Sequence, residues 1–155
     1  MRAYLLPLIV ALVVLTDPLL AQPFAATENV RFEAVDVLID SHGVPLAAWQ
    51  FELTERSAAM RVVGVEGGEH PAYATAPYFD RDAVARGRAD RIIVAAYSLR
   101  DDVDLPTGAT RVATVHVQLT GSLRPDYQLI QIVAGDSSGR AIPADITLRP
   151  STERP

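Results

Sequence analysis

Apolar and polar residues alternate with period two along most of the chain from Val30 onward. In VDVLID, Val35, Val37 and Ile39 point one way, and Asp36, Leu38 and Asp40 point the other. Such alternation marks a strand with one face in a core and one in water. Ser41-His42-Gly43 interrupts it with small polar residues and a glycine suited to a positive φ angle. Pro45 opens the next run, where its missing N–H costs little. There Ala47, Trp49, Phe51 and Leu53 share one face, and Ala48, Gln50 and Glu52 share the other. The two runs are expected to pair as a hairpin with one buried and one wet face.

The pattern continues. Met60 to Val65 (MRVVGV) reads as a strand ended by Gly67-Gly68. Ile92 to Leu99 (IIVAAYSL) is apolar almost throughout, which predicts a strand covered on both faces or one at a sandwich centre. From Arg111 to Leu119, Ala113, Val115, Val117 and Leu119 face inward and Thr114, His116 and Gln118 outward. Tyr127 to Ala134 and Ala141 to Leu148 follow, joined by the turn-forming GDSSG of Gly135 to Gly139. In the last run Ile142, Ala144, Ile146 and Leu148 share a face. Only Asp80 to Arg86 reads as a helix, with Asp80 as its cap, Asp82 in its first turn and Gly87 at its end. Many short, turn-punctuated strands with one short helix predict an all-β fold, an antiparallel β-sandwich of jelly-roll type.

The first residues break the pattern. Arg2 supplies a positive charge, and Tyr4 to Leu15 is apolar. As a helix that run makes about 18 Å, short of a bilayer core of about 30 Å. Thr16-Asp17-Pro18 ends it, and Ala21 offers a small residue for cleavage. Residues 1–21 thus read as a secretory signal, with a site near Ala25 or Ala26 as the alternative. Asp17 would sit in hydrocarbon if the segment stayed as an anchor, so no membrane span is expected after cleavage. Residues 22–29 form a short polar lead, 30–149 one sandwich domain and 150–155 a disordered tail. The expected location is secreted or periplasmic.

Charge and composition narrow the partners. A net charge of −5 argues against nucleic acid and anionic membranes. An exported chain with no cysteine has no disulfides, so a hydrophobic core must hold it together.

Chemistry-bearing motifs are sparse. His42 lies in a turn, His70 in a loop and His116 on an outward strand face, with no HxH or HExxH spacing. GxSxG and a phosphate-cradling loop are both missing, so no catalytic residue and no enzyme activity is assigned. Asp101, Asp102 and Asp104 (DDVD) are the densest carboxylates. Calcium is the cation they could take, but the loop lacks the EF-hand glycine and distal glutamate, and surface acidity is preferred. No other cofactor is expected. Tyr73, Tyr78 and Phe79 cluster in HPAYATAPYFD, where exposed rings would make a docking or sugar-stacking surface and inward rings would plug the sandwich. Trp49, in register with Phe51 and Leu53, reads as a packing anchor rather than a ligand grip.

VDVLIDSHGVPLAAWQFEL, MRVVGVEGG, ATRVATVHVQL and AGDSSGRAIPADITL together resemble the cohesin-type β-sandwiches, over roughly Val30 to Leu148. The matching features are an early strand pair with a small-aromatic-x-aromatic core segment, and a late strand leading through a small acidic loop to a closing strand. The resemblance implies a non-catalytic extracellular module that docks another protein, a dockerin-like or envelope component, through one sandwich face. Related sandwiches bind carbohydrate, which stands as the alternative, with a secreted hydrolase as a second. Candidate partner-binding residues are Tyr73, Tyr78, Phe79, Gln50 and Glu52. The face bearing Ala48, Gln50 and Glu52 and the face bearing Thr114, His116 and Gln118 are the two candidates.

Overall fold

The structure, a computed structural model, describes residues 29–57 and 59–153. The expected signal segment and nearly all of the polar lead lie outside the described residues. Seven strands run in order: β1 (Val30–Asp40), β2 (Ala48–Glu55), β3 (Ala59–Gly67), β4 (Ile92–Tyr97), β5 (Thr110–Thr120), β6 (Tyr127–Gly135) and β7 (Asp145–Pro150). A single short helix, α1 (Arg81–Ala85), precedes β4. Asp80 caps it by accepting from the Ala83 N–H at 2.8 Å, and Gly87 follows it at φ 62°, as the sequence predicts.

The strands form two antiparallel sheets, a four-stranded one ordered β3-β5-β1-β7 and a three-stranded one ordered β4-β2-β6. Odd-numbered strands build the first and even-numbered strands the second. The chain therefore changes sheet at every connection, and no two consecutive strands are hydrogen-bonded neighbours. The expected hairpin of β1 with β2 does not form. Sheets stack about 10 Å apart, so residues 41–47 must cross the core instead of turning back. They do so with Leu46 fully buried and Ser41 and Ala47 buried beside it. Gly43 N–H donates to Thr107 O at 2.6 Å and Leu46 N–H to Pro106 O at 2.9 Å, which ties this crossing to the one between β4 and β5. His42 (φ 52°) and Gly43 (φ 87°) supply the left-handed corner.

Between the sheets, Val37 and Ile39 of β1, Val115, Val117 and Leu119 of β5, and Trp49, Phe51 and Leu53 of β2 make the core. Trp49 stacks on Phe51 with centroids 5.7 Å apart and meets Tyr73 edge-on at 5.8 Å. It is the packing anchor its register predicts.

Three expectations about exposure change. Ile92 to Leu99 is neither covered on both faces nor at the centre of its sheet. β4 is an edge strand, with Ile92 and Val94 buried while Ile93 and Tyr97 face outward and are exposed. Asp36 and Thr114, assigned to the wet side, are fully buried. The Thr114 and Ser151 hydroxyls both donate to Asp36 Oδ1, at 2.8 and 2.7 Å. Arg149 lies 4.0 Å from its other oxygen, and Arg111 donates to Thr114. The third change explains the second. The tail expected from residue 150 is partly built into the fold, because β7 runs on through Pro150, paired with Val35, and Ser151–Glu153 folds over as a 3-10 turn.

Candidate functional site

Register across β4, β2 and β6 sets the rows of the outer face of the three-stranded sheet. Tyr97, Ala48 and Gly135 form one row, Ala95, Gln50 and Val133 the next, and Ile93, Glu52 and Ile130 a third. Tyr78 joins the second row by bridging Ala95 through two backbone hydrogen bonds, at 2.8 and 3.0 Å. The result is an apolar face in contact with solvent. Tyr78 is 66% exposed, Tyr97 57%, Val133 52%, Ile130 48% and Ile93 46%. Single exposed apolar residues are ordinary, whereas several gathered on one flat surface mark an interaction site.

Two polar features organise the face. The Tyr78 and Tyr97 rings are nearly parallel, at 4° with centroids 6.0 Å apart. The neighbouring Tyr97 hydroxyl pushes the Tyr78 hydroxyl pKa above its ordinary value. In the third row, Glu52 is only 4% exposed, flanked by Ile93 and Ile130. Arg91 Nη1 covers it with a 3.0 Å ion pair while remaining largely in solvent. Alternation assigns Glu52 to a wet face, and the structure corrects this, because Glu52 is buried. It is a shielded carboxylate capped by an accessible guanidinium.

Of the residues singled out from the sequence, Gln50, Glu52 and Tyr78 come together here. Tyr73 and Phe79 do not. Tyr73 is 2% exposed, its hydroxyl donates to Leu46 O at 2.6 Å, and burial pushes its pKa well above the usual range. Phe79 packs partly buried against the core, with the Arg81 guanidinium 5.3 Å over its ring. Sequence reasoning missed Tyr97, Ile93, Arg91, Ile130 and Val133. β4 and β6 are apolar at consecutive positions, so alternation gives no hint of which side chains reach solvent. The one available signal was Arg91, a charge entering an apolar run.

The histidines go to different places. His42 Nε2 is 3.2 Å from Asp145 and His116 Nε2 is 3.0 Å from Glu66, while His70 Nδ1 accepts from the Ala72 N–H. Thr114, His116 and Gln118 do lie in one line on β5, but Thr114 is sealed beneath the Asp36 cluster, so that face is broken as a docking surface. Asp101, Asp102 and Asp104 are exposed around a 3-10 turn, and no group of three His, Cys, Asp or Glu side chains placed to hold a metal occurs among the described residues. Nor is any helix among them long and apolar enough to cross a membrane. No protein-family model matches the chain, and no curated protein or solved structure is significantly similar to it.

Proposed function

We propose that this chain is a non-catalytic, exported β-sandwich module, acting in the periplasm or outside the cell, that docks another protein in the manner of cohesins. The docking surface is the outer face of the β4-β2-β6 sheet. The observation that carries this reading is the convergence of Tyr78, Tyr97, Ile93, Ile130 and Val133 around Gln50 and the Glu52–Arg91 pair. Tyrosine and arginine are the side chains on which interface energy concentrates, and a rigid sheet offers them without an ordering cost. A partner's acidic group meets Arg91, and its apolar groups cover the isoleucines.

The test is capture by the tagged chain from envelope and medium of the source organism. One recurrent protein, lost with Tyr97→Ala and with Arg91→Glu but retained with Phe32→Ala on the other sheet, supports the reading. Capture that is indifferent to the first two variants rejects this face.

The parallel Tyr78–Tyr97 rings favour one second reading, polysaccharide binding by stacking sugar rings on the tyrosines. Retention on an insoluble polysaccharide, lost with Tyr97→Ala and without any protein partner, would select it. Tyr73 and Phe79 take no part in either reading.

A further inference from the structure

Each of the two sheets has two edges, and three of the four carry charge, proline or a covering contact along the strand. On β3, the Val62 N–H is taken by Ala89 O at 2.7 Å. On β4, Tyr78 occupies Ala95 with two hydrogen bonds. β7 is short, carries Asp145 and Arg149, and has Pro143 ahead of it and Pro150 at its end. Charge, proline and covering loops are the devices that keep sheet edges from pairing. Among the described residues, β6 lacks them from Tyr127 to Val133. Between Tyr127 and Gly135 it contains no charged residue and no proline (YQLIQIVAG). Beyond its pairing with β2, the described residues hold it at its two ends, through the Tyr127 hydroxyl donating to Glu33 Oε2 at 3.1 Å, the Gly135–Ala141 bridge and the Ile142 N–H on Ala134 O.

The sandwich is also open on this side. Tyr127 and Leu129 of β6 and Ile146 and Leu148 of β7 turn toward the core but are only partly buried. A cleft of about 710 Å³ lies where the start of β6 meets β1 and β7, with Phe32, Tyr127 and Leu148 in its walls. An unprotected edge thus coincides with an uncovered stretch of core.

We infer that β6 is the contact through which two copies of this chain associate, antiparallel and about a two-fold axis, joining their three-stranded sheets into one of six. Charge selects a second copy as the occupant. The chain carries a net charge of −5, so two copies repel over most of their surface. Along β6 there is no side-chain charge to face its own counterpart. Ile130 and Val133, both about half exposed on the outer face, then extend the apolar surface across the axis. The pairing rests on the proposed docking face only in its consequence, which is that a dimer presents two such faces side by side and binds bivalently.

Sedimentation of the full chain over a wide concentration range tests the pairing. A monomer–dimer equilibrium is expected, weakened at least about tenfold by Ile130→Lys or Val133→Lys, which set like charges across the axis. Ile93→Lys, on the opposite edge of the same sheet, should leave it unchanged. Mixing Ile130→Lys chains with Ile130→Glu chains should restore association, a gain that misfolding cannot imitate. A chain that stays monomeric at every concentration, or a dimer insensitive to positions 130 and 133, overturns the inference. Partner capture by such a monomer would leave the docking reading intact, so the two proposals fail separately.

Discussion

Trp49 sits 2% exposed between Phe51 and Tyr73, and its indole N–H has no acceptor among the described residues. Two effects therefore oppose each other at one side chain. Burial of the large ring stabilises the core, while the unmatched donor costs part of that gain. Trp49→Ala should destabilise by about 3–5 kcal/mol, read from denaturant midpoints. Trp49→Phe should cost distinctly less, because it removes the donor along with one ring. Tyr97 shows the opposite use of an aromatic residue. Its neighbouring hydroxyl holds the Tyr78 pKa above the ordinary tyrosine value of 10.0, so Tyr97→Phe should bring Tyr78 back toward that value in an absorbance titration. An unchanged titration would mean the two hydroxyls do not interact. Trp49 was legible from its register beside Phe51 and Leu53. Tyr97 was not, because Ala96 on its other side is as apolar as an outward neighbour can be, and periodicity has nothing to register.

At the scale of elements, the loop from β6 to β7 is held by one carboxylate. Asp136 Oδ1 accepts from the Ser138 hydroxyl at 2.6 Å and from the backbone N–H groups of Ser138 and Arg140, both at 3.0 Å. Its other oxygen pairs with the Arg140 guanidinium at 2.8 Å. These bonds, led by the Ser138 hydroxyl, lower its pKa from 3.8 to about 2. A depressed carboxylate stabilises the fold above its unfolded pKa and stops doing so as pH falls through its folded value. The loop's contribution should therefore be complete above pH 3.8 and fade toward pH 2. In thermal melts Asp136→Asn should lower Tm at neutral pH, and the gap to wild type should close across that window. The turn itself was legible as GDSSG, whereas its hydrogen-bonding was not. The end of β7 is the complementary case. A polar stretch read as a tail proves to cover Asp36, and Ser151→Ala should cost about 1.5 kcal/mol, the worth of a hydrogen bond to a charged group. Chemical denaturation measures it, and no loss would return residues 150–153 to the status of a dispensable tail. RPSTE offers no apolar residue to announce burial, since what it buries is a carboxylate.

For the molecule as a whole, the alternation of Val35, Val37 and Ile39 with Asp36, and of Val115 and Val117 with His116, made the strands and the sandwich legible. It could not tell which strand lies beside which, because a strand that turns back and one that crosses the core carry the same period-two pattern. The apolar Val44-Pro45-Leu46 was the available clue, since a solvent-exposed turn has no use for Leu46. The crossing of sheets at every connection has a consequence for time as well as shape. β1, the partner of both β5 and β7, finds its first neighbour only at Thr110–Thr120 and its second at Asp145–Pro150. No ladder between named strands can nucleate from a local turn, so loop closure over long separations must precede any reward from pairing. Refolding by stopped flow should accordingly fall in the millisecond-to-second range typical of sandwiches dominated by non-local pairs, and a microsecond phase carrying most of the amplitude would contradict it. During synthesis β1 has no sheet to join until Thr110–Thr120 has been made, and β7 follows later still. From the emergence of β1 to that of β7 the chain has no finished four-stranded sheet, a long interval in which it can still be threaded, handed on or held unfolded.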